Sequence, residues 1–433
     1  MFFAPPALVL DAPPPVAAAL ALDLSGALTR ARADNPQILA SRAAVAERQG
    51  LITATRADAL PQVTLGGDFT RVRDVSILSS ALGSSIDTLF PGTSMDSLVG
   101  ARNIYTSTAT LTQPLFYWGK LGKAVEVAQM GKQEAAYAYT TTELEVLHGV
   151  ARSYLAVLAA KVDLEVVETR RRTAERFLED MKAKEEAQTA TQLDRLRAES
   201  EVLAVRPENL QAEANYLRAL EVLNGQLGLD PHTPLNLAEL GAASPTQVQA
   251  AGERSEILRL KQQEAMYQAN DQIIRTDLRP KLDFSASYGY QTPGSENQFH
   301  DPYDAWRVSV TLKFPIFDGL RTSGKRAQNM AQLEQVRQTR LDLERSVAVE
   351  KSTANRELQK AVLFADAARK AYDAALEALR ITRESFDQGL VTSYELLQTE
   401  RTERLQESQR RKAELDVWSA MFNQRRALGL PPL

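Results

Sequence analysis

The chain has 433 residues, of which 44% are hydrophobic, 24% charged and only 6% aromatic, and its net charge is −4. That balance argues against nucleic-acid binding, which needs a strongly basic face. The absence of cysteine excludes disulfides, thiolate chemistry, zinc–thiolate sites and a lipid-modified N-terminal cysteine in the sequence as it stands.

Residues 1–22, MFFAPPALVLDAPPPVAAALAL, are small and apolar, and the ALA of Ala19–Ala21 is like a signal-peptidase site. No basic segment precedes them, and Asp11 with five prolines interrupts the apolar run. Two readings stand: an export leader or extension, and a disordered arm. No later window of 18 residues is purely apolar, so a β-barrel is the only way this chain can span a bilayer.

A helix is expected from Leu24 to about Asp58, divided near Asn35 and Pro36 because the residue before proline disfavours the helical region. After ALPQ (Ala59–Gln62) the period changes from 3.6 to 2. Strands are expected at about 62–73 and 104–114, and again at about 281–291 and 304–315. Leu282, Phe284, Ala286, Tyr288 and Tyr290 alternate with Asp283, Ser285, Ser287 and Gly289; Trp306, Val308, Val310, Leu312 and Phe314 alternate with Arg307, Ser309, Thr311 and Lys313. Nine to eleven residues suit a tilted membrane strand, and a soluble sheet with one wet face shows the same alternation. Four strands alone cannot close a barrel; strands pooled from several copies would.

Long helices follow, at about 120–185 and 320–386. The second is roughly 100 Å long at 1.5 Å per residue, more than a globular core needs. Their apolar stripes, such as Leu144, Leu147, Val150, Tyr154 and Leu158, suit either a cylinder of coiled coils or a solvated hairpin. Each gives way to a return helix, at about 191–228 and 392–428. Thr191 and Thr392 are the expected N-caps, with a capping box at Glu395 and a favourable first-turn charge at Asp194. Pro207 should kink the first return helix. GLDPHTPLNLAELGAASP (Gly228–Pro245) reads as a linker along the outside of the helices.

Two copies of one unit are present. An offset of 201 residues pairs Pro114 with Pro315, Thr191 with Thr392, Leu227 with Leu428 and Pro231 with Pro432 without a gap. Upstream the offset is 219, pairing Ile38 with Ile257 and Pro61 with Pro280, so the first copy carries 18 extra residues between Pro61 and Pro114. A period this long is outside the solenoid range of about 20–50 residues. The organisation read from this is a leader or extension at 1–22, a first repeat at 23–231, a linker at 232–245 and a second repeat at 246–433.

Enzyme chemistry finds little support. His148, His232 and His300 lack partners at metal-ligand spacing, so no catalytic, cofactor-binding or metal residue is assigned. GLRTSGK (Gly319–Lys325) matches a phosphate-loop pattern, but Arg326 stands where the magnesium-binding hydroxyl belongs and no βαβ unit follows. Gly319 and Gly324 are expected to ease the strand-to-helix transition instead.

NPQI (Asn35–Ile38), ALPQ (Ala59–Gln62), QPLF (Gln113–Phe116), FPIFDG (Phe314–Gly319) and FDQGLVT (Phe386–Thr392), in this order and doubled, resemble the TolC family of outer-membrane efflux proteins. The resemblance spans nearly all of residues 23–430. It implies a mainly α fold with a membrane β-barrel: a duplicated helix–strand–strand–long helix–helix unit, three copies of which form a 12-stranded outer-membrane barrel continuous with a periplasmic α-helical barrel. Asp68, Asp283, Arg307 and Lys313 would face the lumen. The implied function is passive export from a Gram-negative cell through an exit duct of a tripartite efflux pump or type I secretion system. The implied partners are two further copies, outer-membrane lipid, a periplasmic adaptor and an inner-membrane transporter of the RND, ABC or MFS type. Gly389, Leu390 and Thr392, with Thr189 and Thr191, match the family's adaptor-contacting tip, although Gln188 replaces the expected glycine. Asp194 and Glu395 match its acidic gate, beside Phe386 and Gln398; from the residues alone, first-turn helix stabilisation explains the two carboxylates equally. A soluble coiled-coil scaffold without a pore is the alternative reading.

Overall fold

A computed structural model of the chain describes residues 20–72, 102–241, 243, 252–293, 303–388 and 390–433. Packing separates two compact units, one of Met1–Val45, Glu134–Leu260 and Gln338–Leu433 and one of Ala46–Gln133 and Lys261–Arg337. In chain order the elements are β1 (Leu20–Leu22), α1 (Leu24–Asp34), α2 (Pro36–Ala57), β2 (Gln62–Val72), β3 (Arg102–Phe116), α3 (Lys120–Glu186), α4 (Gln192–Gln226), β4 (Leu235–Leu237), α5 (Ser255–Arg275), β5 (Lys281–Pro293), β6 (Tyr303–Lys313), α6 (Arg321–Asp387) and α7 (Ser393–Ala427). The helices α3 and α6 have 67 residues each, and α4 and α7 have 35 each.

The first unit is helical and holds the main core. Ala27 and Ala31 of α1, Ile38 of α2, Val150, Tyr154 and Val157 of α3, Leu223 of α4 and Phe422 of α7 are buried together. Small residues at several of these sites let the helix backbones come close. Tyr154 is enclosed, so its hydroxyl needs partners; it donates to the carbonyls of Leu22 at 3.2 Å and Ala238 at 2.6 Å. Those carbonyls flank a two-stranded parallel sheet, with Leu20 opposite Leu235 and Leu22 opposite Leu237. Residues 20–22, within the stretch read from sequence as a leader or N-terminal extension, are thus paired with the first unit's β4. Their alternation allows pairing with LNL, whose two leucines are buried.

Helix boundaries follow local chemistry. Asn35 accepts from the N–H groups of Gln37 and Ile38, which caps α2, and its side-chain amide donates to the carbonyl of Gln226 at 2.8 Å. The turns after α4 and α7 place Gly228 at φ +69° and Gly429 at φ +75°. Leu229 donates to Asn224 and Leu430 to Arg425, so each helix ends in a Schellman turn that satisfies its last carbonyls. A Cβ on Gly228 would lie 2.9 Å from the Asp34 carbonyl oxygen, so only glycine fits there. Pro207 lies inside an uninterrupted α4, where it withholds a donor from the carbonyl one turn earlier.

The second unit holds an antiparallel sheet in the order β2-β3-β5-β6. Here β3 and β5 are longer than expected, ending at Phe116 and Pro293, and β6 stops at Lys313, before Phe314. Strand β3 runs past Pro114 because β2 has already ended opposite Thr112, and the register with β5 shifts between Pro114 and Phe116. Proline is tolerated where one side of the ladder is vacant. In the turns that follow the hairpins, Trp118 and Gly119 have φ +53° and +76°, and their counterparts Gly319 and Leu320 have +65° and +66°. Gly319 therefore has the expected conformational role. Gly324 does not, since it lies within α6; Asp318 caps that helix by accepting from the Thr322 N–H and hydroxyl.

The β2–β3 loop at 73–101, residues 242 and 244–245 of the expected linker and the β5–β6 loop at 294–302 lie outside the described residues. Among the described residues, no helix is long and apolar enough to cross a membrane.

Candidate functional site

Two places combine unusual exposure with ordered chemistry: the faces of the sheet, and the turns joining each long helix to its return helix. In the sheet, cross-strand register decides which side chains share a face. Leu65, Ala109, Tyr288 and Trp306 lie in one cross-strand row, and Val63, Leu111, Ala286 and Val308 in the next. This face is apolar and uncovered, with Leu65 at 85% and Trp306 at 73% exposure. The opposite face carries Thr64, Thr106, Thr108, Thr110, Ser285, Ser287, Ser309 and Thr311. Asp68, Asp283, Arg307 and Lys313 all fall on this polar face, by the same register. Asp283 is additionally held by the Tyr117 hydroxyl at 2.6 Å.

At the first turn, Thr191 accepts from the Asp194 N–H, and Asp194 Oδ2 accepts from the Thr191 N–H and hydroxyl at 3.2 and 2.6 Å. At the second, Thr392 and Glu395 repeat this, with Glu395 Oε2 accepting from the Thr392 N–H at 2.9 Å. Both are full capping boxes. For Asp194 this corrects the sequence expectation of a first-turn charge alone: aspartate is short, but the Thr191 N–H lies within its reach. The Thr191 hydroxyl and N–H hold the Asp194 carboxyl below its ordinary range, so it is ionised at neutral pH. Capping is thus an observed role of both carboxylates, and each uses one oxygen for it.

The chain reverses into these caps through a left-handed residue. Gln188, where a glycine was expected, adopts φ +57°, and Thr189 donates to the Lys184 carbonyl at 2.8 Å. The turn is therefore a Schellman turn in spite of the substitution, with a bulky residue in a region that glycine favours. Leu390 donates to Ser385 in the matching bond 201 residues on; Gly389 lies outside the described residues. Leu390 is exposed, as are Thr189, Thr191 and Thr392. Phe386 is on the last turn of α6 and is also exposed, and Gln398 donates to the Tyr394 hydroxyl at 2.9 Å.

The two tips differ in how they are tied. Arg195 binds Glu185 at 2.8 Å across the first turn; 201 residues on, Leu396 and Phe386 stand at those positions of the second turn. There Arg383 of α6 binds Glu400 of α7 at 2.9 Å instead. Glu201 of α4 accepts from Arg170 of α3 at 3.0 Å and from Arg401 of α7 at 2.9 Å, so one carboxylate joins three helices. Beside it lies a groove of about 560 Å³ that includes Glu403. Glu403 is only 4% exposed, and burial raises its pKa above the ordinary value. Neither Glu201 nor Glu403 was singled out from sequence, because neither stands out from the many charged residues of these helices. Among the described residues, no group of three or more His, Asp or Glu side chains could hold a metal ion.

A sequence profile described as "Outer membrane efflux protein" matches residues 27–229 and 247–430. The chain belongs to the outer membrane efflux protein family. This is a family of outer-membrane proteins of Gram-negative bacteria. Among relatives of the family, the pyoverdine export outer membrane protein OpmQ of Pseudomonas aeruginosa is 26% identical over 73% of this chain and 66% of its own length. The matched stretch thus spans just under two thirds of OpmQ. The outer membrane protein TolC of Vibrio cholerae is 22% identical over 94% of this chain and 90% of its own. Of solved efflux-family folds, VceC of Vibrio cholerae superposes with a TM-score of 0.75, 17% identity and coverage of 95% and 97% of the two chains. The CmeC channel of Campylobacter jejuni does so with 0.77, 13% identity and coverage of 94% and 85%. The family resemblance expected from the five sequence motifs therefore holds.

Proposed function

We propose that three copies of this chain pool their sheets into one 12-stranded barrel in the outer membrane, continuous with a periplasmic barrel built from α3, α4, α6 and α7. The observation that carries the proposal is the sheet itself, four strands with two open edges and an apolar face on which Val63, Leu65, Trp306, Val308, Val310 and Leu312 are exposed. Leaving a large apolar side chain in water forgoes about 1.5–3 kcal/mol relative to burial, and open strand edges invite pairing. Lipid covers the first and neighbouring copies close the second. The polar face, with Asp68, Asp283, Arg307 and Lys313, then lines a water-filled lumen.

In this reading the chain is a duplicated unit, with repeats at 23–231 and 246–433 joined by an equatorial linker at 232–245. Cargo is driven by an inner-membrane transporter of the RND, ABC or MFS type through a periplasmic adaptor and leaves passively through this duct. The adaptor docks on the tip at Gly389, Leu390, Thr392, Thr189 and Thr191. Asp194 and Glu395 are the gate's acidic ring, with Phe386 and Gln398 beside it. Export by this chain is supported by relatives named for pyoverdine export and for alkaline protease secretion.

The test is membrane fractionation together with conductance. The protein should sit in the outer-membrane fraction, migrate in a heat-modifiable way, and conduct in a planar bilayer. Replacing Asp194 and Glu395 together by alanine should weaken block by divalent cations, since a ring of carboxylates favours cations in a narrow pore. A monomer soluble without detergent would overturn the duct, and unchanged block would remove the ring from these positions.

A further inference from the structure

We propose that the cavity where β3 gives way to α3 binds the phosphate of an anionic phospholipid in the periplasmic leaflet of the outer membrane. The proposal rests on the duct reading above, in which the apolar sheet face meets lipid and the long helices begin at the periplasmic boundary.

The cavity is about 500 Å³ and includes Trp118, Lys120, Lys123, Arg275 and Arg279, with Glu126 as its one carboxylate. Lys120, Lys123 and Arg275 already have carboxylate partners, in Asp277, Glu126 and Asp271. Arg279 is engaged differently, with its guanidinium 5.0 Å above the Trp118 ring. A cation resting on an aromatic face keeps its hydrogen-bond donors for an incoming anion.

The position fits a headgroup. Phe116 is opposite Leu282, on the apolar face of the sheet, and Trp118 stacks edge-on against Phe116 at 5.1 Å. The indole N–H donates to the Pro280 carbonyl at 2.7 Å, which fixes the ring. Trp118 therefore continues the lipid-facing surface to its end, and the cations begin where that surface stops. Tryptophan at such a boundary is amphipathic in the way the bilayer interface favours.

The duplication supplies an internal control. At the second junction Gly319 replaces Trp118, and the upstream offset puts Leu60 where Arg279 stands. The turn conformation itself is kept, at φ +65° for Gly319 and +53° for Trp118. Each junction holds one bulky residue in the left-handed region, Trp118 in the first and Leu320 in the second, so the two differ in which side chain the turn presents and not in backbone conformation. The fold does not require tryptophan there, so the indole and the cation it supports serve something the second junction lacks.

The experiment uses the full-length trimer purified in detergent, with phosphatidylglycerol as probe and phosphatidylethanolamine as the zwitterionic comparison. Binding is read by quenching of tryptophan fluorescence with bromine-labelled acyl chains and by lipid retention in native mass spectrometry. Phosphatidylglycerol should bind preferentially, and Arg279→Gln should weaken it about 5-fold. Arg279→Gln with Lys123→Gln should weaken it about 30-fold, the conversion of about 1 kcal/mol per basic side chain near an anionic surface. Arg321→Gln, at the second junction, should leave binding unchanged. Equal retention by the double variant, or equal binding of the two lipids, overturns the proposal. Competition by inorganic phosphate as effective as that by phosphatidylglycerol would assign the site to a free anion and overturn the lipid. Heat-modifiable migration of each variant is measured alongside, so a failure of the barrel reading is distinguished from a failure of this site.

Discussion

Acid should destabilise the helical unit through one side chain, His148. It is 2% exposed, and its Nε2 lies 2.8 Å from the Leu430 carbonyl oxygen, to which the neutral ring donates. Burial pushes its pKa from 6.5 down to about 4; the hydrogen bond to Leu430 opposes this, and the positive charges of Arg426, Arg152 and Arg425 add to it. A histidine whose folded pKa is depressed is protonated first in the unfolded chain. Its stabilising contribution is therefore complete above about pH 6.5 and declines as the pH falls towards 4. Between about pH 7.5 and pH 5 the loss works out at about 2 kcal/mol. His148→Gln keeps an N–H donor for Leu430 and does not titrate. Denaturant unfolding of both proteins in detergent, followed by far-UV circular dichroism, measures the stability difference at each pH. The wild type should lose about 2 kcal/mol more than the variant on acidification. A difference that stays constant with pH would show that His148 is solvated or already charged in the folded state.

Glu403 should act in the opposite direction. Its folded pKa is raised, so the folded state holds the proton longer, and the buried charge weakens folding as pH rises through the ordinary carboxylate range and beyond. Glu403→Gln should then stabilise at neutral pH, with the gain vanishing near pH 4, which the same unfolding assay reads. Thr191→Ala and Thr392→Ala each remove a cap hydroxyl and should each cost about 1 kcal/mol; protease nicking at the tips would reveal the loosened turns. On the sheet, Val310→Arg puts a charge on the apolar face and should cost about 2–4 kcal/mol if it lies near the bilayer midplane. Thr311→Arg, one residue on, should fold normally into vesicles and change single-channel conductance.

Much of this architecture was legible in the residues because it rests on local periodicity. Alternation in LDFSASYGY and WRVSVTLKF marked the two faces of the sheet, and the register places Asp68, Asp283, Arg307 and Lys313 together on the polar one. Thr191 and Thr392 announced the starts of α4 and α7, since an N-cap is decided by three or four consecutive residues. The tips were harder to read. Gln188 looked like a departure from the expected turn, yet the backbone takes the left-handed conformation all the same, because the bonds to Lys184 require it.

Composition, the doubled motifs and their spacing thus determined the order of elements, the two-faced strands and the family. Tertiary structure decided which distant groups meet. Leu20–Leu22 pairs with Leu235–Leu237, the Asn35 side chain caps the end of a helix 191 residues away, and His148 meets a carbonyl 282 residues on. The burial of Glu403 and the three-helix tie at Glu201 belong to the same class. Periodicity reports which face of an element is apolar; which buried polar group faces which partner depends on the packing of whole helices, and no short window of sequence contains it.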